Sequence, residues 1–256
     1  MVVYNTEGIV LRTRNMGEAD KVVTFYTKDH GKVTATARGV RRPRNRLLGP
    51  TQVFTHGRYM LFKGRQLDTL SQGEIIYSHQ KLREDLDDMA AAMYLTEVMD
   101  LFLEEGEPNP DLFQLLVTVL DLGTDKRFDF ALRVFELRLM ALLGYEPQLQ
   151  ECIGCGLELG EPAFFSPEGG VVCNGCRTQF TKARSITKGT REWMQRFLQW
   201  DLERVAILHP SRSVLDEIQT IMAAYIAFRL DRPLKSLGFL QSLRTDSDPS
   251  DGQPRI

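Results

Sequence analysis

At Ser78 the apolar residues of this chain change period, and that change constrains the fold more than any other feature. From Thr6 to Tyr77 they alternate with polar residues or gather in short runs: Ile9-Val10-Leu11, Val22-Val23-Thr24-Phe25-Tyr26, Val33 to Ala37, Tyr59 to Phe62 and Glu74 to Tyr77. Successive side chains on a strand point to opposite faces, so these runs predict five strands. Between the second and third, Thr27-Lys28-Asp29-His30-Gly31-Lys32 supplies Asp for a turn and a Gly tolerant of positive φ, the chemistry of a hairpin.

After Ser78 the apolar spacing becomes helical, first through Leu82, Leu86, Met89 and Met93 to Phe102, where Gly106-Glu107-Pro108-Asn109-Pro110 breaks it. Further helices are predicted from Asp111 to Leu122, Phe128 to Leu143 with Gly144 as its stop, Arg191 to Trp200 and Val214 to Leu230. The expected architecture is therefore α+β and multidomain. Residues 1–79 form a small β-barrel of the OB-fold kind, whose curved face and loops hold single-stranded nucleic acid. Residues 80–150 form a helical domain, 151–178 a cysteine element, 179–244 the continued helical domain and 245–256 a disordered tail.

All four cysteines lie in that element, as Cys152-Ile153-Gly154-Cys155 and Cys173-Asn174-Gly175-Cys176, with 17 residues between the pairs. Two such turns can aim four thiolates at one ion, closing a Cys₄ zinc site with no position left for water or substrate. Zinc bound by Cys152, Cys155, Cys173 and Cys176 is thus expected to be structural, with Phe164 to Val172 as a short hairpin of a zinc ribbon. Two disulfides or four free thiols are the competing readings. The N-terminus lacks a secretion signal and no long apolar run occurs, which favours a reducing, cytoplasmic location and hence the metal.

Charge is unevenly distributed. Residues 1–80 carry 13 Lys and Arg against 6 Asp and Glu, residues 81–151 carry 6 against 16, and residues 152–256 carry 13 against 12. The first segment contains Arg38 followed by Gly39-Val40-Arg41-Arg42-Pro43-Arg44-Asn45-Arg46. These five arginines span a strand end and a Pro-containing loop, where they form either a solvated surface or a polyanion site. Phe25, Tyr26, Phe54, Tyr59 and Phe62 fall on or beside the strands, and any that face outward are able to stack on bases.

Enzymatic readings find little support. No phosphate-binding Gly-rich loop with Lys-Ser/Thr occurs, and none of His30, His56, His79 and His209 precedes a Glu by two, as a nucleobase deaminase requires. Glu84-Asp85-x-Asp87-Asp88, the only candidate for a metal-dependent nuclease, reads as the acidic first turn of a helix. The expectation is a protein that is not an enzyme, with a nuclease or a zinc-ribbon interaction module without annealing activity as alternatives.

The order of these parts resembles the RecO family of bacterial DNA repair and recombination mediators. The resemblance is carried by Glu7-Gly8-Ile9-Val10-Leu11, Gly17-Glu18-Ala19-Asp20-Lys21-Val22-Val23, Tyr26-Thr27, Gly31 and Ala37 to Pro43. The cysteine element and Arg232-Pro233-Leu234-Lys235-Ser236-Leu237 extend it to nearly the whole chain. It implies an OB-fold, a helical domain and, in many members, an inserted zinc element. It also implies binding of single- and double-stranded DNA, annealing of complementary strands, and action with RecR to load RecA onto DNA covered by single-stranded-DNA-binding protein. The acidic tail of that last protein is a further implied partner, and a nucleoid-associated location follows. The family's basic OB-fold residues correspond to Arg38, Arg41, Arg42, Arg44 and Arg46. Asn45 stands where relatives often carry serine, a local departure within the loop.

Overall fold

The computed structural model of the chain describes residues 2–123, 127–230, 233–236 and 238. The 245–256 tail, and Arg232 and Leu237 of the near-terminal segment, lie outside these residues. The described residues divide into two compact units, one within Met1–Lys126 and Leu234–Ile256, the other within Arg127–Pro233. Ser78 is therefore where one kind of element gives way to another, while the packing boundary falls after the first two long helices.

In the first unit β1 (Val3–Met16), β2 (Asp20–Thr27), β3 (Gly31–Ala37), β4 (His56–Phe62) and β5 (Asp68–Tyr77) close a barrel in the order β1-β2-β3-β5-β4, with β3 and β5 parallel. This is the OB-like barrel expected from the period-two runs. Its interior holds Val10, Val23, Phe25, Val33, Ala35, Val40, Tyr59, Leu61 and Leu70. β1 is long enough to pair on both edges, and a bulge between Val10 and Arg12 re-registers it against β2.

Two helices, α1 (Leu86–Phe102) and α2 (Pro110–Leu122), belong to the same unit. Asp85 caps α1, its side chain accepting from the Asp87 and Asp88 amides at 2.9 and 3.0 Å, so the predicted acidic first turn is present. The predicted single helix from Leu82 is divided, because Gln80–Arg83 makes a separate 3-10 turn. α2 covers part of the barrel's outer face: the Phe113 ring lies 6.4 Å from Tyr26 and 5.9 Å from His56. His79 stands between the Phe54 carbonyl, at 2.8 Å, and the Asp121 carboxylate, at 2.9 Å, joining barrel to helix.

The second unit packs α3 (Phe128–Leu142), α4 (Lys188–Gln199), α5 (Leu202–Ala206) and α6 (Arg212–Arg229) with a three-stranded sheet. That sheet has the order β7-β6-β8, from β6 (Ala163–Ser166), β7 (Gly170–Cys173) and β8 (Arg184–Ile186). α3 ends as predicted at Gly144, which has φ 81° and donates to the Ala141 carbonyl, while Tyr145 N donates to Met140 O at 2.7 Å. The sheet meets α6 through Phe165 and Tyr225, whose rings lie 5.5 Å apart. Among the described residues no helix is long and apolar enough to cross a membrane.

Candidate metal centre and nucleic-acid interface

The structure brings all four predicted metal ligands together: the sulfurs of Cys152, Cys155, Cys173 and Cys176 lie within 4.8 Å of one another. Tetrahedral zinc with bonds of about 2.3 Å places sulfurs ~3.8 Å apart, and Cys155 and Cys173 are separated by 3.9 Å. The residues fit the ion, and none of the cysteines is in a disulfide. Among the described residues this is the one group of three or more His, Cys, Asp or Glu arranged to hold a metal.

The glycines of the two turns have different reasons to be there. A Cβ on Gly154 would stand 3.0 Å from the Phe180 ring and 3.1 Å from Cys176 Sγ, whereas at Gly175 the nearest such neighbour is Cys173 Sγ at 3.8 Å. Only the first is required by close approach. The hairpin is locked to the preceding chain at Gly170, whose Cβ would fall 2.1 Å from Gln148 O. Beneath the sulfurs lies a small apolar cluster of Cys152, Phe164 and Val172 with Ile153, Leu159, Phe180 and Ala183.

Electrostatics favour a cation here. Burial opposes ionisation of Cys152, yet amides of Cys173, Gly154 and Cys155 outweigh it and hold the thiol at about 6. Cys176 is driven the other way, up to about 12, chiefly by the neighbouring Cys173 and Cys155 sulfurs. Without a positive charge the cluster stabilises one thiolate at its neighbours' expense. A divalent ion removes that conflict by pairing with all of them.

The five predicted arginines are all exposed, on the connection between β3 and β4. Their loop has a defined backbone. Val40 is fully buried in the barrel core, Gly39 N donates to Asp20 Oδ1 at 2.7 Å, and Arg41 N donates to Ala19 O at 2.9 Å. Gly39 adopts φ 62° and Arg44 φ 63°, left-handed values that turn the chain twice within a few residues. Asn45 closes the loop: its Nδ2 donates to Gly39 O and its Oδ1 accepts from Leu47 N, both at 2.8 Å. A buried anchor and side-chain braces thus hold the backbone while the guanidinium groups reach solvent.

Strand register adds a residue that sequence reasoning missed. Asn15 pairs with Lys21 and Lys21 with Ala37, which sets exposed Arg14 at the barrel end that carries the arginine loop. The alternation around β1 is the signal that marks Arg14 as outward-facing. Of the carboxylates there, Asp20 is engaged by Gly39, while Glu18 is exposed. At the opposite end of β3, Lys32 and Thr34 meet Asp100 and Glu105.

The aromatics do not face this surface. Phe25, Tyr26, Phe54 and Tyr59 are all buried, leaving only Phe62 partly accessible. The arginine loop therefore offers charge and hydrogen-bond donors rather than a stacking platform.

Comparison with known proteins covers nearly the whole chain and divides it near Ser78. Residues 1–79 match the family described as recombination protein O N terminal, and residues 83–238 match recombination protein O C terminal. The chain is 43% identical over 251 residues to a DNA repair protein RecO of Symbiobacterium thermophilum, covering 96% of this chain and 99% of that one. It is 40% identical over 241 residues to the protein of that name from Pelotomaculum thermopropionicum, with 94% of each covered. A third, from Desulforamulus reducens, is 35% identical over 245 residues, 95% of this chain and 96% of the relative. With both family models matched in order along the chain and relatives 35–43% identical over nearly its whole length, the chain belongs to the RecO family of DNA repair proteins.

Proposed function

We propose that this protein is a DNA-binding recombination mediator. It anneals complementary single strands and, with RecR, helps load RecA onto DNA coated with single-stranded-DNA-binding protein, whose acidic tail it contacts. The observation that carries this reading is the exposed cluster Arg38, Arg41, Arg42, Arg44 and Arg46 on a braced loop at the end of an OB-like barrel, in a chain of the RecO family. Guanidinium groups there neutralise phosphates without reading bases, and annealing needs just that: repulsion between strands falls while pairing selects the complement. No nucleotide hydrolysis enters the scheme. Zinc held by Cys152, Cys155, Cys173 and Cys176 is structural in this reading, supplying folding energy to the ribbon.

The test is annealing of complementary oligonucleotides without ATP, bare and coated with single-stranded-DNA-binding protein, across a salt series. Salt-sensitive formation of intact duplex is the expected result. Cut strands would turn the assignment toward a nuclease, and the absence of annealing would leave an interaction module.

A further inference from the structure

The second unit carries a basic segment of its own. From Gly169 to Arg191 the sequence contains Arg177, Lys182, Arg184, Lys188 and Arg191 and no Asp or Glu. Arg191 pairs with Glu161 at 3.7 Å, whereas Arg177, Lys182, Arg184 and Lys188 are exposed and in no ion pair with a described residue. Lys182 and Arg184 line a groove of about 450 Å³ whose other walls include Pro167, Ala224, Ala227 and Phe228. Phe228, near the C-terminal end of α6, is 47% exposed, and Lys182 Nζ lies 5.4 Å over its ring. The Pro167 wall is fixed from behind by Arg229, which donates to its carbonyl at 2.9 Å.

We propose that this groove is a second single-stranded nucleic-acid site, with phosphates on Lys182, Arg184 and the flanking Arg177 and Lys188, and a base against Phe228. The proposal rests on the nucleic-acid-binding reading given above and adds what the arginine loop lacks, an exposed ring bordered by cations and alanines, the combination that holds unpaired bases without regard to sequence. The cations continue along the chain beyond the groove on both sides, which suits a polyanion longer than the groove itself. Annealing gives a second site a purpose, because each strand is then held by a different surface.

The same geometry assigns a task to the cysteine cluster. Cys176 begins the 3-10 turn Arg177–Gln179, Phe180 packs into the cluster's apolar base, Ala183 N donates to Phe180 O at 2.9 Å, and Arg184 then enters β8 against Phe165 of β6. A metal held by the four cysteines would fix the backbone from which these cations project.

The experiment compares the full metal-loaded protein with K182A/R184A/F228A, with R41A/R42A/R44A/R46A and with both sets combined. All substituted side chains are exposed, and unchanged melting confirms the fold. Labelled oligothymidylate is titrated for stoichiometry across a salt series, and annealing is timed. The wild type is expected to bind two strands, each single-set variant one, and the combined variant none. Each single-set variant is expected to anneal at least about fivefold more slowly, the scale of one lost stacked base plus its phosphate contacts. If the groove variant keeps stoichiometry and annealing while the loop variant loses them, the second site is overturned and the mediator reading stands. If the wild type binds no oligonucleotide, both fall. If the groove variant loses only binding to an acidic peptide ending in an aromatic residue, the groove is a peptide site and the inference is overturned.

Discussion

The Asn45 side chain donates to the Gly39 carbonyl at 2.8 Å, folding the arginine loop back on its own base, and the same amide accepts from Leu47 N at 2.8 Å. Between these two bonds lies Arg44 at φ 63°, a conformation an arginine adopts only when its surroundings impose it. Asn45→Ala removes both bonds without changing charge. The expected result is a loss of about 1–2 kcal/mol, faster amide exchange across the loop, and weaker oligonucleotide binding at an unchanged salt slope. A changed slope would mean that Asn45 acts on charge rather than on loop geometry.

Replacing Arg41, Arg42, Arg44 and Arg46 by alanine tests charge directly. Because each side chain is exposed, stability should stay within about 0.5 kcal/mol. The log–log salt dependence of single-strand binding should flatten by about 0.7 for every phosphate contact removed. An unaltered slope in the folded variant would place the phosphate contacts elsewhere.

Much of this arrangement was legible in the sequence, and the exceptions have physical causes. Each barrel run was marked by alternation, and each long helix by spacing and by a stop such as Gly144. The third strand of the ribbon was not: Arg184-Ser185-Ile186 buries one side chain in three, too little for a pattern. The short helix Leu202–Ala206 likewise buries only Val205. The fate of the barrel aromatics could not be read because α2 makes part of the barrel's exterior a second interior. Tyr26 points out of the barrel and is nevertheless fully buried, with Phe113 among its neighbours. The cysteine spacing pointed to the cluster of four sulfurs, but not to the attachment of its basic segment to a groove beside α6, which depends on tertiary packing.

Gly31 is required twice over. Its φ is 62°, and a Cβ there would lie 2.2 Å from the Glu107 carbonyl oxygen, in the connection between α1 and α2. Gly31→Ala therefore carries a left-handed alanine, costing about 1–2 kcal/mol, together with a backbone collision that no rotamer relieves. The melting temperature should drop markedly, by more than for Gly17→Ala, where φ is 59° but no atom lies within 4 Å of the added Cβ. Equal effects at the two positions would show that strain, not collision, is the whole penalty.

Glu97 holds the returning end of the chain. Its carboxylate accepts from Lys235 N at 3.1 Å, from Ser236 N at 2.8 Å and from the Ser236 hydroxyl. Partial burial opposes its charge, but the Ser236 and Lys235 bonds and the Lys235 ammonium prevail and draw its pKa below the usual carboxylate value. A depressed folded-state pKa contributes stability present above the unfolded value, near 4.3, and lost as pH falls through the folded one. Exchange at the Lys235 and Ser236 amides should accelerate on acidification below about pH 4. Glu97→Gln should raise that exchange at neutral pH and blunt its acid response, with a local loss of about 1 kcal/mol, since solvent reaches the carboxylate. Exchange that ignores both pH and substitution would show that the segment is held by other contacts.

Removing the metal should act on the second unit first. The ribbon's apolar base is small, with Cys152, Phe164 and Val172 as its buried members, so burial alone supports little structure there. Four sulfurs this close also repel as they ionise, and only a cation reverses that term. Cys152→Ser removes the buried ligand whose sulfur receives the Gly154 and Cys173 amides at 3.4 and 3.3 Å. It should abolish stoichiometric zinc and destabilise this unit by about 4 kcal/mol or more, a size reserved for lost metals, disulfides and core cavities. Chelation of the wild type should reproduce the effect and re-addition of zinc should reverse it. The barrel belongs to the other compact unit, so its amide protection should survive both treatments. Equal loss of protection in barrel and ribbon would make the two units one cooperative structure, and full stability of the metal-free protein would show the cysteines to be dispensable for folding.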